Sequence, residues 1–226
     1  MTEFLTALMA FLVAHMLPAS PAVRRRLVGL LGDRAYIAVY SAVSLGLLAW
    51  LIAATLRAPT TLIWEPQRAF ALVPFFVMPL ALWLLIAGVV EPNPRSISFS
   101  SKAEPGGIVG ITRHPVLWGV ALWSGSHIPA TGHLVSVVLF GVLTLFALIG
   151  IVRLDARAKA RLGQRRWREL AAATSAVPFG AFLAGRGDLR TTGALIVSGL
   201  AALALWAWFI VQGHAWIVGL DPLARL

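Results

Sequence analysis

Five histidines and no cysteine set the chemistry open to this chain. Without thiols there is no disulfide, no thiolate nucleophile, no Cys-ligated zinc and no Cys-ligated haem. Any metal ligand must therefore be an imidazole or a carboxylate. His15 lies in the first apolar stretch and His127 in the fourth. His114 stands in Arg113-His114-Pro115, His133 opens the fifth stretch, and His214 follows the sixth. An imidazole in a membrane span is costly unless partnered, so His15 and His127 are functional candidates. The bland alternative is a neutral histidine hydrogen-bonded to a neighbouring helix. Neutral imidazole is a good axial ligand for haem iron, and helical bundles build cofactor sites from facing side chains.

Arg113-His114-Pro115 is a more local signal. Proline is preorganised for the first turn of a helix. It leaves Arg113 and His114 at the positive N-terminus, where an anion or carboxylate is attracted. Gly119, one turn on, permits close approach of a helix or ligand. The competing reading is a basic membrane anchor with ordinary small-residue packing. Asp155 stands among many bases, and local pairing with Arg157 or Lys159 would explain it. No hydroxyl nucleophile with an ordered histidine and acid can be assembled from spacing. P-loop, GxGxxG and HExxH motifs are missing.

The elements that must position these residues are set by composition. The 226 residues are 59% hydrophobic and 12% charged. A soluble domain carries about 25% charged residues, so lipid is the indicated solvent. Six apolar stretches cover residues 2–17, 35–56, 70–90, 115–131, 134–152 and 193–212. Four are long enough to cross about 30 Å of hydrocarbon; the first and fourth are short. Residues 1–17 read as a retained helix rather than a cleaved signal, since no basic segment precedes them. Breakers separate the stretches: Pro18-Ala19-Ser20-Pro21, Pro92-Asn93-Pro94, Pro105-Gly106-Gly107 and Ala130-Thr131-Gly132.

The fold class expected is an all-α, polytopic transmembrane bundle, one domain over residues 1–226, with no internal repeat. Lys and Arg orient it. Arg24, Arg25, Arg26 and Arg34 lie in the loop between spans 1 and 2, and Arg95, Lys102 and Arg113 between spans 3 and 4. Nine more lie between spans 5 and 6, from Arg153 to Arg190. Only Arg57, Arg68 and Arg225 fall on the other side. The alternation fits six spans with both termini outside a bacterial inner membrane. The net charge of +10 is thus a cytoplasmic anchor on anionic lipid, with no call for nucleic acid.

In this frame His15 lies about 5–10 Å from the inner edge of the hydrocarbon, and His127 similarly far from the outer edge. Their backbones are offset by roughly 10–15 Å along the membrane normal, so a shared haem requires tilted helices or favourable side-chain directions. Depth alone would group His15 with His114, and His127 with His214.

The chain resembles a known family over essentially its whole length. The matching residues begin with Ala14-His15, Leu31-Gly32-Asp33-Arg34-Ala35-Tyr36 and Tyr40-Ser41. They continue with Pro92-Asn93-Pro94, Ile111-Thr112-Arg113-His114-Pro115, Trp123 and Ser126-His127. Asp155, Arg157, Leu162-Gly163, Thr174-Ser175, Pro178-Phe179, Gly213-His214 and Gly219 complete the pattern. Together they resemble the NnrU family of bacterial membrane proteins, named for a link to expression of nitrite and nitric oxide reductases. That family is similar to the 15-cis-zeta-carotene isomerase, a haem b membrane enzyme. The resemblance implies His15 and His127 as ligands of haem b iron. It also shows a departure: the isomerase has a cysteine where this chain has Ser124. That removes its redox ligand switch and leaves haem binding open.

A more distant likeness is to isoprenylcysteine carboxyl methyltransferases, which also start a helix with Arg-His-Pro. Here Leu117 replaces their tyrosine, Gly119 matches, and their acidic pair is reduced to Asp155. It implies S-adenosylmethionine chemistry at Arg113, His114 and Asp155. Three functions are therefore carried forward. The first is a haem b protein in redox or isomerase-like chemistry, and the second a methyltransferase. The third is a non-enzymatic accessory factor for respiratory reductases. The partners implied are membrane lipids with a small hydrophobic substrate or reductase components.

Overall fold

A computed structural model describes residues 1–16, 20–94, 96–98 and 104–226. The Pro18 breaker and the loop bases Arg95 and Lys102 lie outside the described residues. Helices dominate: α1 Thr2–Met16, α2 Pro21–Leu31, α3 Asp33–Arg57, α4 Arg68–Val90, α5 Ile108–Ile111 and α6 Pro115–Thr131. They continue with α7 Leu134–Leu162, α8 Gln164–Ala172, α9 Gly180–Leu183 and α10 Gly193–Trp208. A π-helical turn, Phe209–Gly213, then joins α10 to α11, His214–Val218. No strand is present among the described residues beyond an isolated bridge, Leu62 to His133.

Four helices are long and apolar enough to cross a membrane: α3, α4, α7 and the run from α10 through α11. The protein is thus an all-helical membrane protein. Its surface agrees, since Leu45, Phe76, Leu200 and Val211 are widely exposed. Such a surface is stable only against lipid. The 15 residues of α1 and the 17 of α6 fall short of that length. At 1.5 Å per residue they reach only about 22–26 Å. The first apolar stretch is also not free of charge. Glu3 sits in its first turn and pairs with Arg57 at 2.5 Å.

The chain forms two compact units, residues 1–64 with 133–139, and residues 65–132 with 140–226. In the first, α1 packs against α3, burying Phe4, Ala7 and Leu8 of one and Leu51 and Ala54 of the other. The Glu3–Arg57 pair joins the start of α1 to the end of α3, so the two run antiparallel. The Leu134 N–H donates to Thr61 O at 2.8 Å, which fixes the start of α7. His133, which opens the fifth stretch, has its Nδ1 buried without a partner among the described residues.

In the second unit α4 is the central element, with α6 and α10 packed on it. Pro74 and Pro79 inside α4 each remove one backbone donor, which neighbouring helices in a membrane protein tolerate. Leu84 and Ala87 of α4, Ile108, Val109 and Ile111 of α5 and Leu195 of α10 form a buried core. The close approach of α6 to α4 depends on Gly119. A Cβ there would lie 2.6 Å from Leu85 Cγ and 2.8 Å from Ala81 O. The backbone oxygen cannot give way as a side chain can. Gly119→Val is therefore expected to destabilise the protein by about 1–3 kcal/mol, the usual cost of overpacking. Thermal unfolding in detergent measures it, and an unchanged midpoint would show that α4 and α6 separate freely.

Candidate functional site

The second unit gathers Arg113, His114 and Asp155 at one end of its bundle. Pro115 occupies the first turn of α6, and His114 caps it with extended-to-bridging backbone angles, φ −128° and ψ 58°. The His114 carbonyl accepts the N–H of Trp118 at 3.0 Å, opening the helix. The backbone before it is clamped from both sides. Asn93 Nδ2 donates to Arg113 O at 2.9 Å, and the Arg113 N–H donates to Ser175 O at 2.8 Å. Thr112 Oγ1 and Trp118 Nε1 both donate to Ala176 O, at 2.8 and 2.7 Å. The Phe179 N–H donates to Ile111 O at 2.7 Å, with Phe179 held at φ 58°. Thr174–Phe179 is thus stitched along the entry to α6.

Asp155 comes to this point on α7. The 29 residues of that helix exceed what the hydrocarbon requires. They extend about 43 Å against a core of roughly 30 Å. The apolar run ends at Val152, so Asp155 lies beyond it, in the charged continuation of the helix. Its pairing is not the local one with Arg157 or Lys159. Arg113 grips it in a fork, Nη2 to Oδ2 at 2.6 Å and Nε to Oδ1 at 3.1 Å. His114 Nε2 lies 2.7 Å from Oδ1. A carboxylate only accepts, so the proton is assigned to Nε2. Burial raises the Asp155 pKa, but the hydrogen bonds from His114 and Arg113 outweigh it and hold the carboxyl at about 2.

The remaining donors of Arg113 are also engaged. Nη1 donates to Thr174 O at 3.0 Å, and the guanidinium lies 5.2 Å from the Trp167 ring centroid on α8. Arg113 is only 7% exposed and His114 1%. His114 Nδ1 faces Ser96 Oγ at 3.0 Å. Sequence spacing missed Ser96, Asn93 and Trp167. The first two lie about twenty residues before the motif and Trp167 far beyond it, with no periodicity linking them. The only cue was that Pro92-Asn93-Pro94 and Arg113-His114-Pro115 both sit at helix ends.

Glu91, also missed, is 1% exposed. It accepts the Ile108 N–H at 2.6 Å and the Thr192 hydroxyl, tying the end of α4 to the starts of α5 and α10. Among the described residues no group of three or more His, Cys, Asp or Glu is arranged to hold a bare metal ion.

The two histidines singled out for haem fall in different units, His15 in the first and His127 in the second. Each has the same local arrangement. His15 Nδ1 lies 2.8 Å from Phe11 O, and His127 Nδ1 lies 2.6 Å from Trp123 O. A carbonyl oxygen only accepts, so Nδ1 carries the proton and Nε2 keeps its lone pair. No hydrogen bond to either Nε2 occurs among the described residues. Aromatic rings flank both: Phe11 and Tyr40 at His15, Trp123 and Phe140 at His127. His214 is helical rather than beyond the last helix, with Nδ1 2.9 Å from Leu220 O.

Kinship is decided by comparison with known families. The model of the family described as NnrU protein matches residues 3–222. The chain belongs to the NnrU family. No curated protein and no solved structure matches it. The match spans nearly the whole of this NnrU protein, so it takes in both units and both groups of candidate residues.

Proposed function

We propose that this NnrU-family protein is a haem b-binding membrane protein that serves redox chemistry linked to nitrite and nitric oxide reduction. One observation carries the haem reading. His15 and His127 stand on apolar helices with Nδ1–H anchored four residues back on a backbone carbonyl, which leaves Nε2 as the ligating atom. A backbone acceptor on the far nitrogen is the usual support of a metal-ligating imidazole, because it fixes tautomer and ring orientation. The flanking aromatic rings supply the apolar, water-poor surroundings a porphyrin requires. His15 and His127 are accordingly the candidate ligands, with His214 the alternative in the second unit. Bound haem would supply a one-electron redox centre. The link to the reductases rests on family membership.

Isomerase-like ligand switching finds no support at Ser124. Its hydroxyl donates to Val120 O at 2.7 Å and pairs with Thr144 Oγ1 at 2.8 Å, so it ties α6 to α7. The methyltransferase reading is weakened by Arg113, whose donors are taken up by Asp155 and Thr174 and are not available to a substrate carboxylate. The test of the haem reading is an absorption spectrum of the detergent-purified protein before and after dithionite. A Soret band with sharp reduced bands is the expected result. A colourless preparation that stays colourless when haem is added would overturn it.

The membrane arrangement proposed with it is six spans in the inner membrane, both termini periplasmic. Reporter fusions after Arg25, Ser100 and Arg165 are expected to report cytoplasm, and fusions after Thr61 and Leu226 periplasm. A cytoplasmic C-terminus would remove the model.

A further inference from the structure

We infer that Ser96, His114 and Asp155 form a nucleophilic triad that takes an acyl group from a carboxylic ester of an amphiphile. The inference is independent of haem binding and concerns only the second unit. Three observations carry it. His114 bridges a hydroxyl and a carboxylate, with Nδ1 3.0 Å from Ser96 Oγ and Nε2 2.7 Å from Asp155 Oδ1. Because the carboxylate takes the Nε2 proton, Nδ1 is left as an acceptor for the Ser96 O–H. That is the relation of nucleophile, base and orienting acid that defines such triads, here with the two ring nitrogens in exchanged roles.

The second observation is the gradient of exposure. His114 is buried, and Ser96 is partly exposed. The base is shielded from water and the hydroxyl is reachable. The third is rigidity. The Ser96 N–H donates to Asn93 O at 3.3 Å, Asn93 Nδ2 holds Arg113 O, and Arg113 holds Asp155. The acid is thereby fixed by Arg113, which acts as a positioning residue and does not touch substrate.

The substrate class follows from the location. Asp155 lies one turn beyond the last residue of the apolar run on α7, and His114 immediately precedes the apolar helix α6. The triad therefore sits where the apolar part of the bundle gives way to polar chain. An amphiphile places its ester linkage at that same boundary, with its chains in the hydrocarbon. In the reaction Ser96 Oγ attacks the carbonyl carbon and its proton passes to His114 Nδ1. The bond from that carbon to the alcohol oxygen breaks, and the departing alcohol takes the proton from Nδ1. Water then attacks the acyl-Ser96 ester, again losing a proton to Nδ1. The acid is released as that proton returns to Ser96 Oγ. Asp155 stabilises the imidazolium in both halves.

The purified full-length protein is treated with a long-chain fluorophosphonate, and the adduct is located by peptide mass spectrometry. Labelling of Ser96 is expected, with none in Ser96→Ala. His114→Gln is expected to slow labelling at least about 100-fold, the usual lower range for a general base. Ser98→Ala, whose hydroxyl donates to Glu91 O at 2.6 Å, is expected to label like the wild type. No adduct on Ser96 in the wild type would overturn the triad. So would an unchanged rate in His114→Gln. Should that variant fail to accumulate, the wild-type adduct map decides alone. Haem content is read from the same samples, so loss of haem with retained labelling, or the reverse, separates the two functions.

Discussion

Asp155→Ala is expected to lower the stability of the protein by about 3 kcal/mol, the lower range for breaking a buried ion pair from one side. The lower range applies because the Asp155 side chain is 21% exposed. The alanine leaves the guanidinium of Arg113 and the Nε2–H of His114, both buried, without their shared carboxylate acceptor. Asp155→Asn is expected to be milder, since an amide oxygen in the place of Oδ1 still accepts two of the three bonds. Thermal unfolding in detergent measures both, and a loss below about 1 kcal/mol for alanine would show the pair to be a spectator. The same pair predicts a pH effect. The carboxyl sits at about 2 in the folded protein against an ordinary value of 3.8, so it is depressed. Its contribution is complete above about pH 4 and is lost as the pH falls towards 2. Acid unfolding of Asp155→Asn should therefore be flatter across that window than that of the wild type.

His127→Ala and His15→Ala are each expected to abolish low-spin haem while leaving the protein in the membrane. The expected loss of haem affinity exceeds the 10–100-fold typical of removing an outer partner of a ligand, because the ligand itself is gone. Neither change touches an ion pair, so folding should survive. His214→Ala discriminates the alternatives. If it removes the spectrum together with His127→Ala, while His15→Ala does not, the ligands both belong to the second unit. His114→Ala is expected to retain the spectrum, since both of its ring nitrogens are engaged, with Ser96 and Asp155. Loss of the spectrum in that variant would move the haem site to the polar end of the second unit. Reduced-minus-oxidised spectra of the purified variants give the readout for all four.

Much of the architecture was legible without coordinates, because a membrane span is declared by length and composition alone. The stretches at 35–56, 70–90, 134–152 and 193–212 all became parts of the four long helices, the first two within two residues of both ends, while α7 runs on ten residues beyond 152 and the last run six beyond 212. The π-helical turn carried the last one on through His214, which hydropathy does not reveal because Gln212 and Gly213 read as an ending. Pro115 and Gly132 marked the two ends of α6 by backbone chemistry, the second with φ 66°. The candidate residues Arg113, His114 and Asp155 were also named by their types. Their convergence was not readable: about forty residues separate Asp155 from the motif, and its nearest bases in sequence, Arg157 and Lys159, were the wrong partners. On a helix Arg157, two residues on, points away from Asp155, and Lys159 shares its face, but the packing of the second unit brings Arg113 and His114 at the entry to α6 against it instead. Ser96 was invisible for the same reason, since a serine in a loop acquires meaning only from the imidazole placed 3.0 Å from it. Length and composition thus marked the segments that are apolar and long enough to cross a membrane. The polar contacts that specify chemistry were decided by tertiary structure, because hydrogen bonds act over 3 Å and sequence distance carries no information at that scale.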